Sequence, residues 1–167
     1  GSGGKDSAYT AHILKYKYKM NPLTVTWAPH MYTDIGWKNF TNWVKVGGFD
    51  NVLFTPNGKL HKLLTKLAFT NLLHPFQPFI IGQKIIGPLF ASKFNIPLIF
   101  YGENQAEYGN AVEENSNPKM DEKFFSNTGI ENIFLGGLSI SQILKEYNFT
   151  INDFEPYLPL PASDLTE

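Results

Sequence analysis

Short runs of β-forming residues alternate with longer stretches of helical periodicity along this chain, and that alternation restricts the fold more than any other feature. Leu23-Thr24-Val25-Thr26-Trp27-Ala28 follows Asn21-Pro22 and stops at Pro29, and Asn51-Val52-Leu53-Phe54-Thr55 stops at Pro56-Asn57-Gly58. Between them Ile35 to Lys45 reads as a helix closed by Gly47-Gly48. Lys59 to Leu73 reads as another, with Leu60, Leu63, Leu64 and Leu67 as its core stripe. After Pro75 and Pro78, Phe79 to Phe94 reads as a third helix, interrupted or kinked near Gly87-Pro88. A third strand, Pro97 to Tyr101, then runs into Gly102-Glu103-Asn104. Strands separated by helices must return in the same direction, so the expected fold is α/β, an open, mostly parallel, doubly wound sheet with flanking helices.

Later residues read differently. Residues 109 to 128 are rich in Asn, Glu and Lys and are expected to form a polar surface insertion or lid. Ser139 to Tyr147 is a helix candidate, and Phe154 to Glu167, with three prolines, reads as a loop or frayed end. By length the 167 residues make one domain, and a domain of this size buries about 70% of its unfolded surface.

Composition removes several functions. The net charge is −1 and charged residues are 17% of the chain, which leaves no basic field for nucleic acid and no polybasic membrane patch. There is no cysteine, hence no disulfide, thiolate metal site or catalytic thiol. No apolar run approaches the ~18 residues of a membrane span, and no signal-peptide pattern precedes the first motif. The expectation is a cytoplasmic protein.

That first motif is Ser2-Gly3-Gly4-Lys5-Asp6-Ser7. Adjacent glycines can take positive φ and turn N–H groups toward one anion, and Ser2 and Ser7 place hydroxyls on either side. Ser7 to Tyr18 has helical composition, with Ala8, Ala11 and Leu14 on one face. The loop is thus expected to open onto a helix N-terminus, where an anion gains from the dipole and the free N–H groups. Lys5 adds positive charge, and Asp6 is a natural ligand for the Mg²⁺ that accompanies ATP. The spacing fits neither the P-loop nor the dinucleotide fingerprint. The competing reading is a flexible Gly/Ser leader.

The motif resembles the phosphate loop of the ATP pyrophosphatases, the PP-loop branch of the HUP-type α/β folds. Trp27-Ala28-Pro29-His30, Ile35-Gly36-Trp37-Lys38-Asn39-Phe40, Phe54-Thr55-Pro56-Asn57-Gly58, His74-Pro75-Phe76-Gln77-Pro78-Phe79 and Tyr101-Gly102-Glu103-Asn104 narrow the resemblance. Across about residues 2 to 110 the chain is similar to the N-acetyl sugar amidotransferases. In such a fold the loop follows a first strand. The expectation is therefore a piece that begins at the loop and is also shortened at its proline-rich end, without the family's cysteine-containing N-terminal region.

The resemblance implies adenylation of the acetamido group of a nucleotide-activated bacterial surface sugar, followed by displacement of AMP by ammonia. It implies ATP and Mg²⁺ as cofactors. It also implies a glutaminase subunit supplying the ammonia and a cyclase-like channel partner, with no nucleic acid and no membrane. The implied catalytic residues are Lys5, Asp6 and Glu103, with Mg²⁺ shared by Asp6 and Glu103. ATP would be held by Ser2, Gly3, Gly4, Lys5, Asp6, Ser7, Trp27, Ala28 and Gly102. The implied sugar contacts are His30, His74, Gln77, Gln83, Lys84, Asn104, Glu107 and Tyr108.

Each secondary site has a structural competitor. Trp27 is also an ordinary core plug, His30 a surface or capping histidine, and residues 103 to 108 a solvated acidic turn. Two other functions stay open: a tRNA-modifying or amide-forming ATP pyrophosphatase, and a non-catalytic ATP-binding module.

Overall fold

A computed structural model describes residues 1–102 and 132–161. The described chain falls into two compact units, one of residues 1–54 and 99–102, the other of residues 55–98 and 132–161.

The first unit is a βαβ arrangement preceded by a helix. Helix α1, Lys5–His12, runs into a single π-helical turn, Ile13–Lys17, and Lys19 ends it in the left-handed region at φ 58°. Strand β1, Leu23–Trp27, is followed by helix α2, Asp34–Gly47, and strand β2, Asp50–Phe54. The strands pair in parallel, from Leu23 opposite Asp50 to Trp27 opposite Phe54. This is the α/β grammar expected from the sequence, realised as a two-stranded parallel sheet.

Local chemistry explains the boundaries. The Thr33 hydroxyl accepts the Gly36 N–H at 3.0 Å and caps α2, and Gly48 closes it at φ 64°, where a side chain is strained. Ala11, Phe40, Trp43 and Phe49 form the unit's core, with Ala8, Tyr32, Val44 and Leu53 packed against it. The rings of Trp37, Phe40, Trp43 and Phe49 follow one another at 5.7 to 6.3 Å. Polar atoms also tie the strands, since the Asn51 amide donates to Thr24 Oγ1 at 2.9 Å and to Thr26 Oγ1 at 3.2 Å.

The second unit is mainly helical. Helix α3, Gly58–Leu72, is capped by Asn57, whose Oδ1 accepts the N–H groups of Lys59 and Leu60, and it buries Leu60, His61, Leu64 and Ala68. Helix α4, Gln77–Phe94, follows. Strands β3, Phe134–Leu135, and β4, Leu138–Ser139, make an antiparallel hairpin around Gly136 and Gly137, both at positive φ. Helix α5, Ile140–Glu146, starts in a Ser139/Gln142 capping box, and a 3₁₀ helix spans Ile151–Tyr157.

Three expectations change. Residues 97–101 join no ladder, and Leu98, Ile99 and Phe100 are exposed. Their β-forming side chains encode propensity, but a strand exists only where a neighbour pairs with it. Helix α4 passes through Pro88 without a break and begins at Gln77, because Pro78 suits a first turn that needs no N–H bond. Residues 154–161 are an ordered part of the core: Phe154, Tyr157 and Leu160 are buried, and the 3₁₀ helix packs on α4. There the burial of two large aromatic side chains outweighs the prolines read as breakers. The polar stretch 109–128 lies outside the described residues, as do 162–167.

Candidate functional site

Residues 2–4 form a tight turn that leads into the first turn of α1, residues 5–7, and this 2–7 segment is the loop of the sequence motif. Gly3 sits at φ 79°, and a Cβ there would stand 2.9 Å from the Phe40 Cα. Only glycine meets both the conformation and the approach to α2. Gly4 is the N-cap of α1, in extended conformation, with no side-chain capping bond. The Gly1 nitrogen lies 2.7 Å from the Val25 carbonyl oxygen of β1.

The loop is closed from inside by Ser7. The hydroxyl of this buried residue accepts the N–H groups of Ser2 and Gly3, both at 3.2 Å, and donates to the Gly4 carbonyl at 3.2 Å. The Gly4 N–H turns to the Ser2 hydroxyl at 3.4 Å. Outside the loop, the Lys5 ammonium meets the Asp6 carboxylate at 2.7 and 2.9 Å, and both side chains are well exposed. An exposed ion pair of this kind contributes little to stability.

Gly102 completes the wall. A Cβ on it would lie 2.5 Å from the Ser7 Cβ and 2.6 Å from its Cα, so Gly102 and Ser7 touch backbone to backbone. The structure therefore joins seven of the sequence-derived residues, Ser2 to Ser7 and Gly102, in one place. Beside Gly102, burial pushes the Tyr101 phenol above its ordinary pKa.

Trp27 ends β1 with its ring buried 5.2 Å from that of Phe54, and the Ala28 N–H extends the ladder to the Phe54 carbonyl at 2.8 Å. His30 is exposed in the turn after β1. His74, Gln77, Gln83 and Lys84 all belong to the second unit. His74 is exposed before α4, and Gln83 and Lys84 are half-buried along it. The Gln77 amide is engaged by the hairpin, accepting the Gly136 N–H at 3.0 Å and donating to the Phe134 carbonyl at 3.0 Å. Glu103, Asn104, Glu107 and Tyr108 lie outside the described residues. Among the described residues no group of three His, Asp or Glu side chains is arranged to hold a metal.

An open groove of about 560 Å³ runs along α1 and its π turn, lined among others by Tyr9, Ile13, Leu14, Tyr18, Met20 and Phe100. Helical spacing places the first three together, but nothing local links them to Phe100.

Compared with protein-family models and with curated proteins, the chain matches none. No helix among the described residues is long and apolar enough to cross a membrane.

Proposed function

We propose that the 2–7 loop holds the pyrophosphate end of ATP, and that the protein is an AMP-forming amidotransferase acting on the acetamido group of a nucleotide-activated sugar. The observation that carries this reading is the head of α1. Helices α2 and α3 are capped by the side chains of Thr33 and Asn57, whereas α1 is preceded by two glycines and, like α4, carries no side-chain cap. A helix N-terminus presents N–H groups and the positive end of the helix dipole, which suits an anion there.

The chemistry needs no protein nucleophile. The acetamide oxygen attacks the α-phosphorus of ATP as the bond to the β-phosphate oxygen breaks, giving an O-adenylated imidate and pyrophosphate. Ammonia adds to the imidate carbon, AMP leaves with the former amide oxygen, and an acetamidino group remains. The protein aligns the reactants and stabilises charge on the departing pyrophosphate. The exposed Asp6 carboxylate fits a Mg²⁺ ligand once Lys5 turns to the phosphates, and the metal would supply charge neutralisation there. Glu103 is the second ligand in this reading, the full nucleotide domain is doubly wound, and ammonia arrives from a glutaminase through a channel partner.

Incubation with ATP, Mg²⁺, ammonia and a panel of nucleotide-activated N-acetyl sugars tests the proposal. The expected products are AMP, pyrophosphate and a sugar about one mass unit lighter, since an oxygen is exchanged for an NH. Release of ADP would overturn the mechanism. AMP release that requires tRNA or a carboxylate in place of the sugar would assign the loop to another ATP pyrophosphatase.

A further inference from the structure

We infer that Ser7 is a positioning residue which fixes the loop and not a donor to phosphate, and that Gly102 is the backstop which holds it there. A serine hydroxyl offers one proton and two acceptor sites. In Ser7 all three are used inside the loop: the proton on the Gly4 carbonyl, the lone pairs on the N–H groups of Ser2 and Gly3. Nothing remains on that oxygen to donate to a phosphate. The side chain is also buried, at 5% exposure, beneath the loop that it ties.

Gly102 makes the tie rigid. With its α-carbon against the Ser7 backbone, any side chain at 102 would have to push Ser7 and the start of α1 aside. On the opposite flank Gly3 is pressed on the Phe40 backbone. The loop is thus held between two contacts that only glycine permits, with the Ser7 hydroxyl as its internal pin. Recognition of the anion falls to the Ser2 hydroxyl, the first-turn N–H groups and Lys5. This division of labour rests on the proposed phosphate role of the loop, although the tie itself exists without any ligand.

The test separates the two. In the ligand-free protein, amide-proton exchange of Ser2 and Gly3 measured by saturation transfer is expected to quicken about tenfold in Ser7→Ala, the loss of one modest hydrogen bond at each site. Gly102→Ala should give the same change although it removes no hydroxyl. Titration with Mg²⁺ and inorganic pyrophosphate should show both single variants weakened alike and the double variant no weaker than either, because both act on one element. Ser2→Ala, by contrast, weakens pyrophosphate binding and leaves Gly3 exchange unchanged. Unaltered exchange in Ser7→Ala, or additive losses in the double variant, would overturn the positioning role. Wild-type protein that binds no pyrophosphate would overturn the phosphate reading alone. The remaining amide spectrum of each variant reports whether it is folded.

Discussion

Gln77 and Gly136 are joined through a side-chain amide that acts as a piece of backbone: the Gln77 carbonyl oxygen accepts the Gly136 N–H at 3.0 Å, while its NH₂ group donates two residues earlier, to the Phe134 carbonyl. The Asn71 amide completes the clamp by donating to the Gly136 carbonyl at 2.8 Å. Gln77→Ala is expected to destabilise the second unit by about 1–3 kcal/mol, the cost of leaving the partly buried Gly136 N–H without its partner, while water replaces the exposed bond to the Phe134 carbonyl. Urea denaturation followed by far-UV circular dichroism reads this, and pyrophosphate binding by the first unit should not change.

Gly136 itself tolerates no side chain. It sits at φ 62°, with a Cβ position 2.7 Å from the Leu67 Cβ and 3.0 Å from the Ala68 nitrogen. Gly136→Ala should therefore cost more than the strain of about 1–3 kcal/mol for a left-handed non-glycine residue. Gly58→Ala, whose Cβ would meet nothing within 4 Å, is the matched control. Comparison of their unfolding midpoints checks the difference.

Stability of the second unit should depend on pH at both ends. Hydrogen bonds from the Thr150 backbone and hydroxyl hold the Asp153 carboxyl below its ordinary pKa. Its contribution is present above the unfolded value of about 3.9 and fades as pH falls through the lower folded value. Burial raises the Tyr157 phenol above its ordinary pKa, so its contribution is present below the unfolded value of about 10 and is lost as pH rises beyond it. Melting temperature measured against pH should show both limbs. Asp153→Asn should flatten the acid limb and Tyr157→Phe the alkaline one.

At α5, Ser139→Ala removes the hydroxyl that accepts the Gln142 N–H at 3.2 Å and half of the capping box. The expected loss is about 1 kcal/mol, readable as a lower urea midpoint, with Ser139→Asp retaining most of the stability.

For the proposed reaction, Asp6→Ala should abolish AMP formation while leaving the melting temperature nearly unchanged, because the Lys5–Asp6 pair is exposed and structurally weak. Turnover equal to wild type would remove Asp6 from the chemistry.

Helices α2 and α3 were legible within two residues because their signals are local: Thr33 and Asn57 cap them, and Gly48 ends α2. The loop was legible for the same reason, since Gly3, Gly4 and Ser7 lie within one turn of chain. What sequence could not carry were contacts between distant residues. Nothing near Gly102 announces that its missing side chain makes room for Ser7, and nothing near Gln77 announces a hairpin at Gly136. Both glycines look like turn formers until the approach of another backbone is seen. A hydroxyl shows its chemistry but not its partners, so the bonds of Ser7 to Ser2, Gly3 and Gly4 were not legible either. The segment 97–101 has the side chains of a strand, but pairing is a property of two segments and cannot be read from one.

The row of tilted rings from Trp37 through Phe40 and Trp43 to Phe49, together with Trp27 at the end of β1, places every indole of the chain in the first unit. Tryptophan emission is therefore a private channel of the first unit, silent about α3, α4 and the 3₁₀ helix. Set beside far-UV dichroism, which the longer helices of the second unit dominate, it lets one titration follow the melting of each half separately. Coincident transitions would mark the two halves as a single cooperative system, and split ones as two.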